Sequence, residues 1–479
     1  MAKSLRTFLD ELSKHRPDDL KEVTRPVDAE HEIAALLSKL QRRQEFPAVL
    51  FRNVGGSDYP VLINLHASYE RMAIAMGVAD LIEMQRVHAE REANLRPLRW
   101  LDRDGDIPVR EVVLRGDEAD LTKLPLTHKC EKDAGKYISA GVSIMKERDT
   151  GQVNTGMYRL QLQGPRQLGF MVNPANHGSH IHRDYEDHGE PTPIAVVIGH
   201  HPCFYLSSVA KVPGPGHEME LCGSLMGEDL EVVRGETVDL PVPAHAEIVI
   251  EGYMHPGKRQ YEGTFGEWPG YYNMEGPRPF IEVTAITMRR DAICQDLFNA
   301  HPEHTILGAI PRMGSLYRAI RHVCPNLVGV NLPWSGGGRS FCYISLKKRA
   351  EGEPTQAAFA ALTTEPNVKH VVIVDDDIDV FNEQEVLWAM AMRFQADTDM
   401  KVIPNALGAH LNPSAYGYNR LERGAMETKV IFDCTKPLPP VEFAERALAK
   451  QDLVDAIEPR EYVRPLAWSS DAARSALKK

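Results

Sequence analysis

The pattern of apolar and polar positions divides the chain into three parts with different periods. In the first part, apolar residues recur every three or four positions in three stretches, which predicts helices. These stretches are residues 4–15, 29–44 and about 68–92. PAVLF at 47–51 predicts a strand. We therefore expect residues 1–115 to form an N-terminal α+β region.

The middle of the chain, residues 116–312, changes to a period of two. Alternating runs occur in ISAGVSIM (138–145), MYRLQLQ (157–163), AEIVIEGYM (246–254) and FIEVTAITM (280–288). Glycine and proline turns separate them, as is typical of an antiparallel sheet or barrel. The segments between the runs, rich in His, Gly and Pro, are expected to be loops long enough to build a site.

The last part, residues 313–479, returns to an α/β pattern. HVVIV (370–374) is a continuous apolar run, which favours a buried parallel strand. A helix over 382–395 and a short strand, KVIPN, are expected to follow. From Pro437 onwards the chain is Pro-rich, then helical, then polar, and is expected to be either an arm that docks on a partner subunit or a loosely held tail.

Composition narrows the class of protein. With 479 residues, of which 43% are hydrophobic, the chain is long enough for several folded domains. The net charge of −12 and the lack of a basic run argue against nucleic-acid binding. No apolar run reaches the ~18 residues of a membrane span, and the N-terminus lacks a signal-peptide core. Seven scattered cysteines without a CxxC pair indicate reduced thiols, so we expect a cytoplasmic protein.

Three segments of the middle region carry candidate metal ligands. Asn154 precedes a strand, residues 173–188 form a His-rich segment, and Glu218 and Glu220 lie in PGPGHEMELCG. Amide oxygen, imidazole nitrogen and carboxylate oxygen together suit Mn²⁺ or Mg²⁺ better than structural zinc. Taken singly, an Asn before a strand is more often a turn former, and a His in a loop is more often a solvated side chain.

An arginine and two glutamates are the candidate catalytic groups. Arg159 alternates with apolar neighbours, so it faces either a polar cavity or solvent. Glu262 and Glu267 lie in the turn-rich segment YEGTFGEWPGYYN (261–273). If the three converge, Arg159 would bind a substrate carboxylate, and one glutamate would hold a proton for general acid catalysis. The alternative is two exposed loop acids.

Four ordered motifs identify the family that the sequence resembles. They are DAGKYISAGVSIMKERDTGQVNTGMYRLQ (133–161), AEIVIEGYMHPGKRQYEGTFGEWPGYYN (246–273), DDDIDVFNEQEVLWAMAMR (375–393) and ETKVIFDCTKP (427–437). The chain resembles the UbiD-like (de)carboxylases, which use prenylated FMN, over nearly its whole length. This resemblance implies an N-terminal α+β region, a central split β-barrel that binds the flavin, and a C-terminal α/β domain with a terminal arm.

The resemblance implies a cofactor site with two kinds of metal ion. Mn²⁺ or Mg²⁺ would bridge the cofactor phosphate to Asn154, His177 and Glu218. Competing ligands in the same segments are His180, His182, His188 and Glu220. A K⁺ ion is implied near the same phosphate.

Further residues are implied to contact the cofactor or the substrate. Met157, Tyr158 and Arg159 would contact the cofactor, Lys429 would contact its phosphate, and backbone around Ser208 would hold the K⁺ ion. Positions expected to shape the substrate pocket are Asn173, Asn176 and Trp268. Trp268 would either stack on a flat substrate or pack in the core.

The implied reaction is a reversible non-oxidative decarboxylation. Arg159 would bind the carboxylate, Glu267 would donate the proton, and Glu262 would tune both. The substrate would be an aromatic, heteroaromatic or α,β-unsaturated acid, with CO₂ as co-product or co-substrate. A flavin prenyltransferase would supply the cofactor, and the protein would form a homodimer or a hexamer.

Three other functions remain open from the sequence. A metal-dependent hydrolase would use the Asn154, His177 and Glu218 cluster, or the Asp375–Asp377 triplet at the end of a strand. An oxidoreductase would carry plain FMN in the same barrel. A non-catalytic oligomeric binding protein is the third alternative. GGGR at 336–339 matches no nucleotide-binding motif and predicts a turn.

Overall fold

The computed structural model describes residues 2–172, 176–211, 217–273, 275–415 and 425–463. The chain divides into two compact units, Met1–Thr435 and Lys436–Lys479. Among the described residues, none of the helices combines the length and apolar character needed to cross a bilayer.

The N-terminal part of the first unit is a helical layer beside a small sheet. Its elements are α1 (Leu5–His15), β1 (Leu20–Val23), α2 (Glu32–Gln41), β2 (Ala48–Phe51), β3 (Val61–Ile63), α3 (Tyr69–Met76), α4 (Leu81–Glu92) and β4 (Arg99–Trp100). The expected single helix over 68–92 is wrong. Gly77 has a φ of 65° and ends α3, and the Asp80 side chain caps α4.

The central part contains most of the strands. They are β5 (Val112–Arg115), β6 (Tyr137–Ile138), β7 (Val142–Lys146), β8 (Val153–Met157), β9 (Leu160–Gly164), β10 (Gln167–Phe170), β11 (Thr192–Ile198), β12 (Glu231–Arg234), β13 (Pro241–Pro243), β14 (Ile248–Met254), β15 (Gln260–Glu262), β16 (Phe265–Gly266), β17 (Tyr272–Asn273), β18 (Gly276–Arg278), β19 (Phe280–Met288) and β20 (Cys294–Gln295). The helices between them are α5 (His177–Asp187), α6 (Pro202–Ser208) and α7 (Glu218–Met226).

One large sheet organises this part, with the strand order β6-β9-β10-β19-β14-β11-β7-β8 and β5 paired to β19. The alternating runs predicted β7, β9, β14 and β19, whereas β5, β8, β10 and β11 lie outside those runs. The pairings between neighbouring strands of this sheet are antiparallel. Strand β11 is apolar from residue 193 to residue 198 because both of its faces are buried: Ile194 and Val196 face one hydrophobic core and Val197 the other. The sheet therefore forms the wall between two cores.

Strand β20 instead joins β1, β2 and β3 in the small N-terminal sheet. Short 3₁₀ turns occur at Pro17–Asp19, Pro108–Arg110, Gly116–Glu118, Leu121–Lys123 and Trp334–Gly336. The last of these, with Gly337 and Gly338 at positive φ, is the turn predicted at GGGR.

A long helix leads into a second sheet. The elements are α8 (Pro302–Val323), β21 (Leu327–Asn331), β22 (Phe341–Leu346), α9 (Glu353–Thr364), β23 (His370–Asp375), α10 (Glu383–Arg393), β24 (Met400–Gly408) and β25 (Ala425–Cys434). The order is β21-β22-β23-β25-β24, and β23 lies parallel between β22 and β25, as the HVVIV run predicts. The strand expected at KVIPN is longer than predicted and runs antiparallel at the sheet edge.

The second unit contains the short helices α11 (Gln451–Ala456) and α12 (Pro459–Tyr462). Neither helix buries a residue within the chain. Apolar side chains such as Leu453, Tyr462 and Val463 are exposed.

Candidate active site

A cavity of about 770 Å³ lies within the first unit and collects most of the predicted site residues. Its lining includes Asn154, Met157, Tyr158, Arg159, Asn176, His177, Glu218, Glu267 and Trp268. Glu262 and Lys429 are not among the residues that line the cavity. Asn173 is outside the described residues. Four segments distant in sequence therefore converge on one space.

Arg159 is the centre of a buried ion-pair network. Its Nε and Nη2 donate to the two carboxylate oxygens of Glu262 at 2.8 and 3.1 Å. Its Nη1 donates to Glu267 Oε1 at 2.9 Å, and the guanidinium lies 5.0 Å from the centre of the Phe265 ring. Arg159 is buried, so the solvent-facing alternative is excluded.

The local backbone explains this convergence. Arg159 lies in the break between β8 and β9 rather than within a strand. The segment that carries both glutamates packs so closely on the 133–134 turn that a Cβ on Gly263 would collide with the Cβ of Ala134. Asp133 fixes its far end by accepting a hydrogen bond from the backbone N–H of Gly266 at 2.8 Å.

The two glutamates have different surroundings. Glu262 is fully buried, and this burial raises the pKa of its carboxyl against the opposing effect of Arg159. Burial also disfavours the charge on Arg159, but the coulombic effect of Glu267 and the contacts with Glu262 outweigh it and raise the pKa of Arg159. Glu267 lines the cavity, so it is the carboxyl that a substrate would meet.

A second polar cluster in the cavity wall carries the predicted metal ligands. Asn154 Nδ2 donates to Glu218 Oε1 at 3.1 Å, and the Thr155 backbone N–H donates to Glu218 Oε2 at 3.3 Å. Burial raises the pKa of Glu218 to about 7, because there is no cationic partner for its charge among the described residues. A buried carboxylate without a counter-charge beside an amide oxygen fits a divalent cation.

The histidines of the 173–188 segment occupy different environments. Contrary to expectation, this segment is the helix α5 from residue 177 onwards and not a loop. His177, its first residue, lines the cavity, and the Tyr158 hydroxyl accepts a hydrogen bond from the adjacent Gly178 N–H. His182 instead contacts Thr192 at 2.8 Å. Among the described histidines of this segment, His177 is the one that lines the cavity.

Lys429 lies apart from this cluster. Its Nζ donates to the backbone carbonyls of Pro366 and Val368 at 2.6 and 2.5 Å, and Glu427 lies 3.8 Å away. Its contact with a phosphate stays a prediction. Ser208, at the end of α6, lines the cavity where the K⁺ ion was expected.

Four basic residues at another part of the cavity wall are absent from the sequence-based predictions. They are Lys211, His304, Arg312 and Arg339. A signal for part of the group was present, because His304, Gly308 and Arg312 recur every four residues and therefore share one face of α8. The GGGR turn gave no indication that its arginine reaches a site.

Comparison with known proteins decides the family. The family models for 3-octaprenyl-4-hydroxybenzoate carboxy-lyase match in three parts: the N-terminal domain over residues 13–89, the Rift-related domain over 102–302 and the C-terminal domain over 305–434. The chain belongs to the UbiD family. The predicted family and fold class are confirmed, whereas the domain boundaries at 115/116 and 312/313 stay predictions.

Relatives of this UbiD-family chain include two archaeal enzymes named anhydromevalonate phosphate decarboxylase. The enzyme from Methanothermobacter thermautotrophicus is 31% identical over 92% of this chain and 99% of its own length. The enzyme from Methanosarcina mazei is 32% identical over 90% and 98%. These matches confirm a UbiD-type carboxy-lyase.

Solved structures agree with this assignment. The UbiD-class enzyme HmfF from Pelotomaculum thermopropionicum, in complex with FMN, has a TM-score of 0.88 and 38% identity, covering 96% of this chain and all of that one. The 3,4-dihydroxybenzoic acid decarboxylase of Klebsiella pneumoniae, in its apo form, has a TM-score of 0.87 and 29% identity with the same coverage.

Proposed function

We propose that this UbiD-family protein uses prenylated FMN to decarboxylate, reversibly, an aromatic, heteroaromatic or α,β-unsaturated carboxylic acid. The observation that carries the proposal is the network in which Arg159 joins buried Glu262 to cavity-facing Glu267. It places a carboxylate-binding cation and a proton-donating acid side by side. Two structures of HmfF, one with FMN and one with prenylated FMN, support the choice of cofactor.

The residues around the cavity fit such a cofactor and its metal ions. Asn154, His177 and Glu218 would hold Mn²⁺ or Mg²⁺ against the cofactor phosphate, and Met157 and Tyr158 would contact the cofactor itself. Backbone near Ser208 would hold K⁺, and Lys429 is retained as a predicted phosphate contact. When bound, prenylated FMN supplies the electron sink for the carbanion that loss of CO₂ creates.

Arg159 would bind and orient the substrate carboxylate. Glu262 accepts hydrogen bonds from Nε and Nη2 and so holds the guanidinium in place. The remaining nitrogen, Nη1, donates to Glu267 at the cavity. The incoming carboxylate would accept a hydrogen bond from Nη1 together with Glu267, or would take the place of Glu267 as the acceptor. Orientation of this kind contributes up to about 7–11 kcal/mol when the reacting groups are aligned.

Glu267 would then deliver a proton to the carbon that CO₂ leaves. In the reverse direction Glu267 would accept the proton. Trp268, buried and directly after Glu267, would cover the face of a flat substrate.

The test uses protein co-expressed with a flavin prenyltransferase, the expected cofactor supplier in the cytoplasm. We expect the UV–visible spectrum and the mass of the released cofactor to show prenylated FMN, with Mn²⁺ or Mg²⁺ in metal analysis. We also expect CO₂ release from members of a panel of aromatic and unsaturated acids. Folded protein without flavin, or loaded protein inactive on the whole panel, would overturn the proposal.

The alternative functions have less support. Arg393 donates to Asp375 at 2.9 Å and to Asp377 at 3.0 and 2.7 Å, so two carboxylates of that triplet already serve a structural ion pair. A hydrolase would therefore depend on the Asn154 and Glu218 cluster. Plain FMN together with a need for an external electron donor would instead indicate an oxidoreductase.

We also propose that the protein assembles as a homodimer, or as a hexamer built from dimers. Apolar side chains are exposed along the edge strand β24, where Val402 is 55% and Leu407 59% exposed. An exposed apolar edge strand can pair with a strand of a second copy of the chain. Light scattering should show a dimer or larger assembly that Leu407→Glu converts to monomer; a monomeric wild type would refute the proposal.

A further inference from the structure

Two arginines converge on one point of the cavity wall. Arg312 lies on α8, and Arg339 follows the Gly337–Gly338 turn. A Cβ on Gly308 would lie 3.2 Å from Arg339 Nη2 and 3.3 Å from Arg312 Nη1. The turn needs glycine to bring them together, because a Cβ on Gly338 would lie 2.5 Å from the carbonyl oxygen of Thr305.

The charge at this point is not balanced by the described residues. Glu365 is shared between Lys211 at 2.9 Å and Arg312 at 3.3 Å. Arg339 makes no ion pair or hydrogen bond with any residue that the structure describes; its guanidinium lies 4.8 Å from the centre of the Trp268 ring. Lys211, Arg312 and Arg339 thus share one ion-paired carboxylate, Glu365. The other acid that acts on Arg339 is Glu267, which is already paired with Arg159.

A neutral imidazole completes the cluster. Burial, with Arg339 and Arg312 nearby, lowers the pKa of His304 to about 3, so the ring is neutral at physiological pH. Its Nδ1 is buried and has no hydrogen-bond partner among the described residues. Burial and Arg312 also lower the pKa of Arg339 to about 9, which leaves it charged at neutral pH. Removing these cations from water costs free energy that the described residues do not fully offset. A bound anion would offset this cost, so the cluster suits an anionic ligand.

The position of the cluster favours the substrate, rather than the cofactor phosphate, as the anion that it binds. Arg339 stacks on Trp268, the residue next to the proposed proton donor Glu267. The carboxylate and amide proposed to hold the phosphate-bridging metal lie on other elements, β8 and α7. An anion held by Arg339 would therefore lie on the Glu267 side of the cavity, which Arg159 Nη1 also reaches.

We propose that Arg339, Arg312 and His304 form a second anion subsite, and that the substrate carries a second acidic group across a single ring or double bond from the carboxylate that is released. This inference rests on the proposed decarboxylase function and narrows its substrate class to compact dianions. Arg312 and Arg339 present planar forks that suit a carboxylate or a phosphate.

The test compares dianionic with monoanionic acids. The probes are monocyclic aromatic and heteroaromatic dicarboxylic acids, their monocarboxylic counterparts, and phosphorylated unsaturated acids. Calorimetry on the FMN-loaded enzyme gives Kd, and CO₂ release by the prenylated-FMN enzyme gives kcat/KM. We expect the wild type to prefer a dianion and Arg339→Met to lose about 10- to 100-fold in both quantities for that dianion alone. The dianion that responds identifies the second group as carboxylate or phosphate.

The matched control is Arg321→Met. Arg321 lies on the same helix and also stacks on an aromatic ring, Tyr317 at 5.6 Å, but it is exposed and outside the cavity lining. We expect this control to behave as wild type. Arg339→Met should also keep or raise the unfolding temperature, because it removes a half-buried charge that has no ion-pair partner in the described chain.

The outcomes separate the inference from the proposed function. Binding of a dianion that depends on Arg339, without CO₂ release, would support the subsite and refute the decarboxylase proposal for that acid. Turnover of monoacids as efficient as that of dianions, unaffected by Arg339→Met, would overturn the subsite and leave the decarboxylase intact. Loss of flavin or a lower unfolding temperature in Arg339→Met would also overturn the subsite, because Arg339 would then serve the cofactor or the fold.

Discussion

Replacing Glu267 with glutamine separates proton donation from the structural role of this side chain. Glutamine has nearly the same shape, and its amide oxygen can accept the hydrogen bond that Arg159 Nη1 now donates at 2.9 Å. What it cannot do is deliver a carboxyl proton. Glu267→Gln should therefore keep the geometry of the network and lose the chemistry.

The free-energy cost of weakening the hydrogen bond is smaller than the cost of losing the general acid. Exchanging a charged hydrogen-bond acceptor for a neutral one costs about 1 kcal/mol, the difference between typical values for the two classes. Removing a general acid costs about 10²- to 10⁴-fold in rate, or roughly 2.7–5.4 kcal/mol in the activation barrier. The expected variant is thus nearly as stable as wild type, but its kcat is about 10²- to 10⁴-fold lower.

The assay measures kcat by CO₂ release, flavin content by absorbance and stability by thermal unfolding. Glu275→Gln is the control, because Glu275 belongs to the same part of the chain but is exposed. A Glu267→Gln enzyme with full flavin content and more than about a tenth of wild-type kcat would refute the reasoning, since general acid catalysis typically contributes at least ~10²-fold.

Three further predictions concern the site and its supports. Glu218→Gln should bind less divalent metal and flavin, because it removes the only carboxylate of the proposed ligand set; metal analysis and absorbance test this. Gly263→Ala should destabilise the protein by about 1–3 kcal/mol through its collision with Ala134, and Ala134→Gly should restore stability in thermal unfolding. The Arg259 hydrogen bond lowers the pKa of Glu186 from 4.5 to about 2. A lowered carboxyl pKa stabilises the fold above pH 4.5, and this contribution is lost as the pH falls towards 2, so Glu186→Gln should flatten the acid limb of a stability curve.

The sequence predicted the strands and most helices because burial imposes a period on the chain. Strands β14 and β19 alternate, and β23 has a continuous apolar run over residues 371–374, so their types followed from pattern alone. The pattern failed over 68–92, where Gly77 interrupts a run that keeps its helical period. It failed again at 173–188, where polar and histidine-rich composition concealed the helix α5.

The site residues were suggested by residue type and by resemblance to a family, not by periodicity. Arg159, Glu262 and Glu267 were named from the sequence, but their hydrogen bonds depend on contacts between residues more than 100 positions apart. Side-chain burial also decided which of the two glutamates faces the cavity. Neither these hydrogen bonds nor the burial of each glutamate can be predicted from the local sequence.

Arg339 shows most clearly what tertiary structure alone decided. The sequence predicted the turn before it, because consecutive glycines readily adopt positive φ. That this turn places a guanidinium over Gly308 and against Trp268 depends on how three distant segments pack. The sequence by itself determined most of the elements, the family and the candidate chemistry, because these follow from local periodicity and from ordered motifs. The cavity and its surplus of positive charge arise only when folding removes these side chains from water and from alternative partners.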